Sequence, residues 1–216
     1  MVLIAALLAA AAAPAHATAP SGTGGARPGV TVAPAHGGGC RFRWQGAPAS
    51  QGQLTAHAAL FLKRATDRLG EPDATVPIIE VDVAEDSPWH CVRRGLRALA
   101  EGGAPAVRLG GPAEALTFSI DLKSAQRLPD GAAVRNRISL PASGIPAWNG
   151  APVAVTVLRQ YLALTQQMRP LPLLTLDVAD ATPYRKAEPL LAAVSQARAI
   201  AVELTGSGIS VSAVRD

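Results

Sequence analysis

The chain has 216 residues, of which 49% are hydrophobic and 17% are charged. At this length, that composition is enough to build a buried core in one ordinary domain or two small ones, so disorder is not expected. The net charge of +4 comes from scattered basic residues. Because no block of Lys and Arg is interleaved with aromatic residues, the sequence predicts no nucleic-acid binding.

Residues 1–17 have the pattern of a secretory signal peptide. An apolar, alanine-rich run precedes Pro14-Ala15-His16-Ala17, in which Ala15 and Ala17 form an A-x-A cleavage signal. No Lys or Arg precedes the run, so a buried helix, or part of a longer anchor that begins upstream, stays open as an alternative. Residues 18–29 are rich in Gly, Pro and Thr, which is typical of a flexible leader. We therefore expect an exported protein, periplasmic or secreted.

Two cysteines, Cys40 and Cys91, remain for the mature chain. An even pair in an exported protein favours one disulfide over a metal site or a redox CxxC motif, with two separate thiols as the alternative. His57 and His90 have no other ligand residue at metal-binding spacing. The sequence therefore predicts no metal and no cofactor.

Two parts of the chain repeat. Residues 76–109 align with residues 171–204 without a gap, at a constant offset of 95 positions. The identical pairs include Asp82 with Asp177 and Pro88 with Pro183. Upstream, WQGAP beginning at Trp44 and WNGAP beginning at Trp148 lie 104 positions apart. A duplicated unit explains both observations.

Short apolar runs predict strands and helical spacing predicts helices in each copy. The first copy predicts strands over 30–32 and 41–44, a helix over 53–69, a strand over 77–83, a helix over 92–100 and a strand over 106–109. The second predicts strands over 116–122 and 133–140, a helix over 155–168, a strand over 172–178, a helix over 190–197 and a strand over 201–204. The turn signal Pro129-Asp130-Gly131 joins the two strands at 116–122 and 133–140 as a pair.

The predicted fold class is α+β, with two tandem ββαβαβ domains over 30–111 and 112–206. Each domain is expected to be a small sheet with helices packed on one face. Ser87 and Thr182 are predicted N-caps of the helices that start at Pro88 and Pro183. Residues 207–216 are left as a C-terminal tail.

The second copy resembles the periplasmic domain of the ExbD/TolR family. The residues that carry the resemblance are the Trp148-Asn149-Gly150 turn, the strand from Leu173 to Asp177, and Thr182-Pro183-Tyr184 at the next helix start. Copy one repeats the pattern with Gln45 for Asn and Trp89 for Tyr. The resemblance implies an α+β domain that dimerises in the periplasm.

The resemblance also implies a function. Family members help to couple the proton gradient to work in the Gram-negative envelope, and they contact TonB-like proteins, ExbB/TolQ-type proteins or peptidoglycan. Their transmembrane aspartate is not seen in this sequence, so we expect only the binding role. The expected protein is a non-enzymatic accessory to biopolymer transport or envelope maintenance that takes an extended peptide at a sheet edge.

Four aromatic residues are weak binding candidates for a glycan or peptide: Trp44, Trp89, Trp148 and Tyr184. Packing in the core of a small domain is the favoured interpretation for all four.

Two carboxylate pairs follow the repeated strands, Asp82 with Asp86 and Asp177 with Asp180. They are compatible with an acid/base pair or a cation site. Carboxylates at a helix start also stabilise its free N–H groups, and this interpretation is favoured. No catalytic residue is therefore predicted, and an exported hydrolase that uses one of these pairs is the alternative function.

Overall fold

The computed structural model describes residues 29–67, 76–110, 115–122, 134–197 and 200–214. The predicted signal peptide over 1–17, the leader up to residue 28 and the Pro129-Asp130-Gly131 turn lie outside the described residues. Among the residues that are described, no helix is both long enough and apolar enough to cross a membrane.

The first half of the structure covers residues 29–122. Its elements are β1 (Gly29–Pro34), β2 (Cys40–Trp44), β3 (Ala47–Ala49), α1 (Gln51–Thr66), β4 (Ile78–Val83), α2 (Trp89–Glu101), β5 (Ala106–Gly110) and β6 (Leu116–Leu122). The second half covers residues 134–214. Its elements are β7 (Arg135–Leu140), β8 (Ala147–Trp148), β9 (Ala151–Pro152), α3 (Val155–Thr165), β10 (Leu173–Val178), α4 (Tyr184–Gln196), β11 (Val202–Leu204) and β12 (Ile209–Ala213).

Local sequence explains where the elements form. Strand β4 buries Ile79, Val81 and Val83 and turns the residues between them outward, as strand geometry requires. Helix α1 begins with a capping box, in which the Ser50 side chain accepts from the Gln53 backbone and the Gln53 side chain accepts from the Ser50 backbone. These contacts satisfy two N–H groups that the first helical turn leaves free.

The repeated WQGAP and WNGAP segments are hairpin turns between β2 and β3 and between β8 and β9. Gln45 and Gly46 have φ angles of 49° and 82°, and Asn149 and Gly150 have φ angles of 50° and 89°. Two consecutive positive φ angles define a two-residue type I′ turn, which needs Gly, Asn or a similarly tolerant residue. Each pentapeptide therefore reverses the chain just ahead of the first helix of its half.

In the part of the chain that the structure describes, the strands form one twelve-stranded sheet in the order β3-β2-β1-β4-β5-β6-β12-β11-β10-β7-β8-β9. The core is one cluster that contains residues from all four described helices and from alternate strand positions, so the helices cover one face. The other positions form a polar face that includes Thr31, Glu80, Arg108, Ser119, Thr175, Glu203 and Ser212.

The two halves have the same strand pairings. Ile79 pairs with Val107 in the first half, and Leu174 pairs with Val202 in the second. Both members of the pair shift by the 95 positions found in the sequence. The halves meet where β6 pairs antiparallel with β12, with Ser119 opposite Ser212. This is the pattern of a pseudo-two-fold axis that passes between equivalent residues.

The starts of α2 and α4 meet at the same axis and cap each other. The Trp89 N–H donates to the Thr182 carbonyl at 2.8 Å, and the Tyr184 N–H donates to the Ser87 carbonyl at 2.8 Å. His90 N–H to Asp180 O and Arg185 N–H to Glu85 O form a second reciprocal pair, at 3.1 and 3.0 Å. These four bonds satisfy N–H groups that a helix cannot satisfy itself. We call them, together with the β6–β12 pairing, the dyad interface.

The structure confirms a mixed fold of strands and helices and corrects four details. The strands form one sheet rather than two small ones. Strand β6 pairs with β5 and β12, not with β7. Residues 209–213, predicted as part of a tail, form β12 near the centre of the sheet. Pro88 and Pro183 occupy the N-cap positions without side-chain capping bonds, because carbonyls of the other half take the role predicted for Ser87 and Thr182.

Candidate functional site

A cleft of about 540 Å³ opens on the polar face at the outer side of the second half. Its lining comes from β7 and β10, from the segment 141–146 between β7 and β8, and from the β8–β9 hairpin. Its lining is Arg137, Ser139, Leu140, Pro141, Ser143, Ile145, Ala147, Gly150, Pro152, Asp177 and Ala179. We call it the loop cleft. Its walls combine apolar carbon surface with a few polar groups, which is the usual character of a ligand site.

An ion pair lies within the loop cleft. Arg137 donates through Nη2 to the Asp177 carboxylate from the neighbouring strand. The Arg137 side chain is 63% exposed and the Asp177 side chain 29% exposed. The guanidinium therefore keeps donors in contact with solvent, where they are available to a carboxylate, a phosphate or a peptide carbonyl.

The asparagine of the WNGAP turn fixes the backbone that carries Arg137. Asn149 Oδ1 accepts from the Arg137 N–H at 2.8 Å, and the Asn149 N–H donates to the Arg137 carbonyl at 2.8 Å. Its amide also donates to Asn136 Oδ1 at 2.9 Å. The turn therefore does more than reverse the chain, because it anchors β7 beyond the two residues that pair with β8.

Lys186 on α4 holds the far wall of the cleft. Its ammonium donates to the Ala142 carbonyl at 3.1 Å and to the Ser143 carbonyl at 3.3 Å. Gly144 packs under this side chain with a φ of +87°, and a Cβ at that position would lie 2.9 Å from Lys186 Cδ. A larger residue at position 144 would be strained twice, by its backbone angle and by this contact.

The corresponding place in the first half is closed. There β1 and β2 pair along their whole length from Val30↔Trp44 to Pro34↔Cys40. A disulfide of 2.01 Å joins Cys40 to Cys91 on α2, which confirms the predicted pairing. Cys91 and Lys186 are related by the offset of 95, so Lys186 holds in the second half the position that the disulfide holds in the first.

Three of the four aromatic binding candidates are buried, which agrees with the favoured interpretation that they pack in the core. Trp89 is 1% exposed, Tyr184 0% and Trp44 8%. Trp44 stacks on His57 with ring centroids 5.3 Å apart. Trp148 is half-buried and packs on Tyr161 at 5.5 Å. These residues stabilise the core, and Trp148 alone among the four keeps part of its surface accessible.

Tyr184 has an unusual electrostatic environment at the dyad interface. Burial, followed by the negative charges of Glu188 and Asp82, raises the pKa of its phenol well above the ordinary value. The phenol is therefore neutral at physiological pH. Its hydroxyl and that of Thr182 have no hydrogen-bond partner among the described residues.

The second predicted carboxylate pair is divided between two ion pairs. Asp177 contacts Arg137, whereas Asp180 contacts Arg93 of the first half, with Oδ1 2.9 Å from Nη2. These contacts are ion pairs with arginines, and neither helix start has a side-chain capping bond, so the favoured interpretation, stabilisation of free helix N–H groups, is not confirmed. The ion pairs do not test turnover, so the hydrolase interpretation stays a prediction for both pairs, Asp82 with Asp86 and Asp177 with Asp180.

One group of potential metal ligands lies at the disulfide. The donor atoms of Cys40, His90 and Cys91 lie within 4.8 Å of one another. The two sulfur atoms are bonded to each other, and a disulfide sulfur is not the thiolate that a metal ion binds. The cluster in this state is therefore a disulfide with a histidine beside it.

A smaller cleft of about 300 Å³ lies between α1 and α2 and the β11–β12 turn, and it is rich in arginine. Arg93 donates to the Thr205 carbonyl at 3.1 Å, Arg94 to Gln51 Oε1 at 3.1 Å and Arg97 to Glu101 Oε1 at 2.7 Å. Each guanidinium thus already has a partner, as Arg137 has in the loop cleft, but this cleft is smaller and its lining has no apolar side chain, so it is the weaker candidate.

Sequence reasoning missed Arg137 and Lys186. The signal for Lys186 was present, since the 95-residue alignment places it opposite Cys91. Arg137 gave no such signal, because it aligns with no charged residue and its role depends on the fold. Comparison of the chain with protein-family models, curated proteins and solved structures found no match.

Proposed function

We propose that this chain is a non-enzymatic binding protein of the Gram-negative cell envelope, built from two fused copies of an ExbD/TolR-like periplasmic domain. In this proposal it is an accessory to proton-gradient-linked transport or envelope maintenance. The observation that carries the proposal is the dyad interface, with its reciprocal hydrogen bonds between residues related by the 95-residue offset. The family resemblance implies a dimer, and here one chain supplies both members.

Fusion in one chain allows equivalent positions of the two halves to carry different residues. In a dimer of identical chains, an isologous interface makes every residue appear twice. Here Arg93 corresponds to Glu188, and Cys91 corresponds to Lys186. The second half accordingly carries the loop cleft, while the first half carries a closed, disulfide-bonded hairpin.

The loop cleft is a better site for a partner than the two outer edges of the sheet. The edge strands β3 and β9 have three and two residues and contain Pro48 and Pro152. Proline cannot donate a ladder hydrogen bond, and short strands offer few bonds, so edges of this kind resist strand addition. The sheet-edge mechanism expected from sequence is therefore replaced by binding in the loop cleft.

The lining of the loop cleft suits an extended protein segment with an acidic group. Ile145 is 60% exposed, and it lies with Pro141 and Pro152 along the apolar part of the lining. Burying such a side chain on binding contributes about 1.5 to 3 kcal/mol. The Arg137 guanidinium gives the site a donor for a carboxylate. A TonB-like segment is the proposed ligand, and peptidoglycan is the other outcome of the test.

The test measures binding of the purified chain to TonB-like peptides by fluorescence anisotropy and to peptidoglycan sacculi by co-sedimentation. Ile145→Asp is the site variant because it places a charge on the apolar wall. Arg41→Ala, an exposed residue of the first half, is the control. We expect the site variant to weaken peptide binding by about tenfold or more and the control to match the wild type.

Three results bear against the proposal in different ways. If the chain binds sacculi and not the peptides, peptidoglycan is the partner and the proposed binding function stands. A wild-type chain that binds neither would remove the function. Equal binding by Ile145→Asp and the wild type would remove the loop cleft as the site.

A further inference from the structure

We propose that the Cys40–Cys91 disulfide is a site of thiol–disulfide exchange with a thioredoxin-like dithiol, in which Cys40 is the attacked sulfur, Cys91 is the leaving sulfur and His90 stabilises the leaving thiolate. This proposal does not depend on the proposed binding function. It rests on the position of the disulfide, on the contacts of His90 and on the difference in exposure between the two cysteines.

His90 contacts the disulfide directly. Its Nε2 lies 3.3 Å from Cys91 Sγ, and its Nδ1 lies 3.2 Å from the Asp180 carbonyl oxygen. A carbonyl can only accept, so Nδ1 carries a proton. The remaining nitrogen then faces the sulfur, where it can take up a proton and donate a hydrogen bond to a thiolate. Both donors of the resulting imidazolium would have acceptors in place.

The position of Cys91 adds to this effect. It is the third residue of α2, a helix of 13 residues, and the positive end of a helix dipole stabilises a thiolate. A protonated His90 beside Cys91 Sγ would stabilise the thiolate in the same way. Cys91 is therefore the better leaving group of the two cysteines, since a more stable thiolate leaves faster.

Access decides which sulfur is attacked. Cys91 is 0% exposed, whereas Cys40 is half-buried at the start of β2, beside the Gly37-Gly38-Gly39 turn. An external thiolate can therefore reach Cys40 before it reaches Cys91.

The reaction balances with one dithiol as reductant. The first thiolate of the dithiol attacks Cys40 Sγ and forms a mixed disulfide, while the electron pair of the broken bond leaves on Cys91 Sγ. The second thiol of the dithiol, as its thiolate, then attacks the dithiol's own sulfur in the mixed disulfide. The bond to Cys40 Sγ breaks, and Cys40 is released as a thiolate. The dithiol is oxidised to a disulfide, and this chain is reduced by two electrons and takes up protons at its sulfurs.

The first experiment follows reduction of the folded protein by dithiothreitol, with free thiols alkylated at each time point and counted by mass spectrometry. His90→Gln removes the imidazole, and His57→Gln is the matched control because His57 stacks on Trp44 in the same half. We expect His90→Gln to slow reduction by about three- to tenfold and to favour the disulfide about tenfold in glutathione buffers. The control should match the wild type, and equal behaviour of His90→Gln would overturn the role of His90.

A second experiment locates the attack. A thioredoxin variant with one active-site cysteine is mixed with the wild-type chain, and the trapped mixed disulfide is mapped by peptide mass spectrometry. We expect it on Cys40, and a mixed disulfide on Cys91 would overturn the proposal.

A third measurement remains informative if His90→Gln does not fold. The Cys40→Ser variant leaves Cys91 as a free thiol, and its ultraviolet thiolate absorbance is recorded at neutral pH before and after unfolding in urea. We expect more thiolate in the folded state. Equal absorbance in both states would show that the fold does not stabilise the Cys91 thiolate and would also overturn the proposal.

Discussion

The two halves attach the connection between their first two strands to a helix in different ways. In the first half a covalent bond joins Cys40 to Cys91, and the hairpin beside it is fully paired. In the second half the Lys186 ammonium holds the carbonyls of Ala142 and Ser143, and the chain beside it is irregular and borders the loop cleft. The same architecture therefore accepts a covalently fixed hairpin in one half and an irregular connection beside a cleft in the other. The contact to the helix is a disulfide in the first case and a pair of hydrogen bonds in the second.

The largest expected effect comes from removing the Cys40–Cys91 disulfide of the first half. The double variant Cys40→Ser/Cys91→Ser should lower the free energy of unfolding by about 2 to 4 kcal/mol, because a disulfide that spans 51 positions restricts the unfolded chain. Urea denaturation followed by circular dichroism measures the change. A loss well below this range would mean that the unfolded chain is already restricted in this region.

A smaller effect separates two related hydroxyls at the dyad interface. The Ser87 hydroxyl donates to the Val32 carbonyl at 3.1 Å, whereas Thr182, its counterpart, has no hydrogen-bond partner for its hydroxyl among the described residues. Ser87→Ala should lower the free energy of unfolding by about 1 kcal/mol, and Thr182→Val should leave it unchanged or raise it. The same urea titration compares the pair, and equal losses in both variants would remove this difference between the halves.

The Lys186 contacts of the second half should contribute less to the free energy of unfolding than the disulfide of the first half. Lys186→Met should lower the free energy of unfolding by about 1 kcal/mol, since it removes two charge-assisted hydrogen bonds near the surface. The Gly144 N–H donates to Pro141 O at 2.9 Å, and its hydrogen exchange should become faster as the loop loosens. Lys63→Met on α1 is the control. Unchanged exchange at Gly144 would show that Lys186 does not hold the wall of the cleft.

The smallest expected effect is a change of pH dependence at the dyad interface. The folded state raises the pKa of Tyr184 above its ordinary value of 10.0, so the unfolded chain loses this proton first as the pH rises. The stability linked to Tyr184 is complete below that ordinary value and declines at higher pH. Tyr184→Phe should therefore show a shallower loss of stability at alkaline pH than the wild type. Trp89→Phe, at the related position of the first half, should keep the wild-type slope.

Sequence patterns predicted the four described helices and the longer strands, but not β3, β8, β9 or β12, because only the longer elements carry a clear local pattern. Alternating burial in β4 and β10 follows from alternating side-chain character. The constant offset of 95 reappears in the strand register for the same reason. The type I′ turn at Asn149-Gly150 is favoured by both of its residues, whereas at Gln45-Gly46 only the glycine favours it.

Pairing between distant segments was predicted less well. The turn signal Pro129-Asp130-Gly131 predicts that β6 pairs with β7, yet the partner β12 lies more than 80 positions further along the chain. The helix caps were assigned to Ser87 and Thr182 because local rules assume that a helix start faces solvent. Here the acceptors are backbone carbonyls of the other half, and a pattern of side chains does not predict such contacts.

The candidate site was the hardest part to predict. Arg137 acquires its role only when β7 and β10 become neighbours, and the loop cleft depends on an irregular segment. The aromatic residues were ambiguous for a different reason, since Trp and Tyr serve cores and surfaces equally well. Core packing was the favoured interpretation, and the burial of Trp44, Trp89 and Tyr184 agrees with it.

The central pairing of β6 with β12 has a consequence for folding. Until β12 arrives, β6 presents an unpaired edge with Phe118 and Ile120, two residues that are buried in the finished sheet. Such long-range closure is slow, and an open edge accepts any complementary strand. At high protein concentration, β12 of a second molecule competes for that edge, so domain-swapped dimers are the misfolded species to expect during refolding.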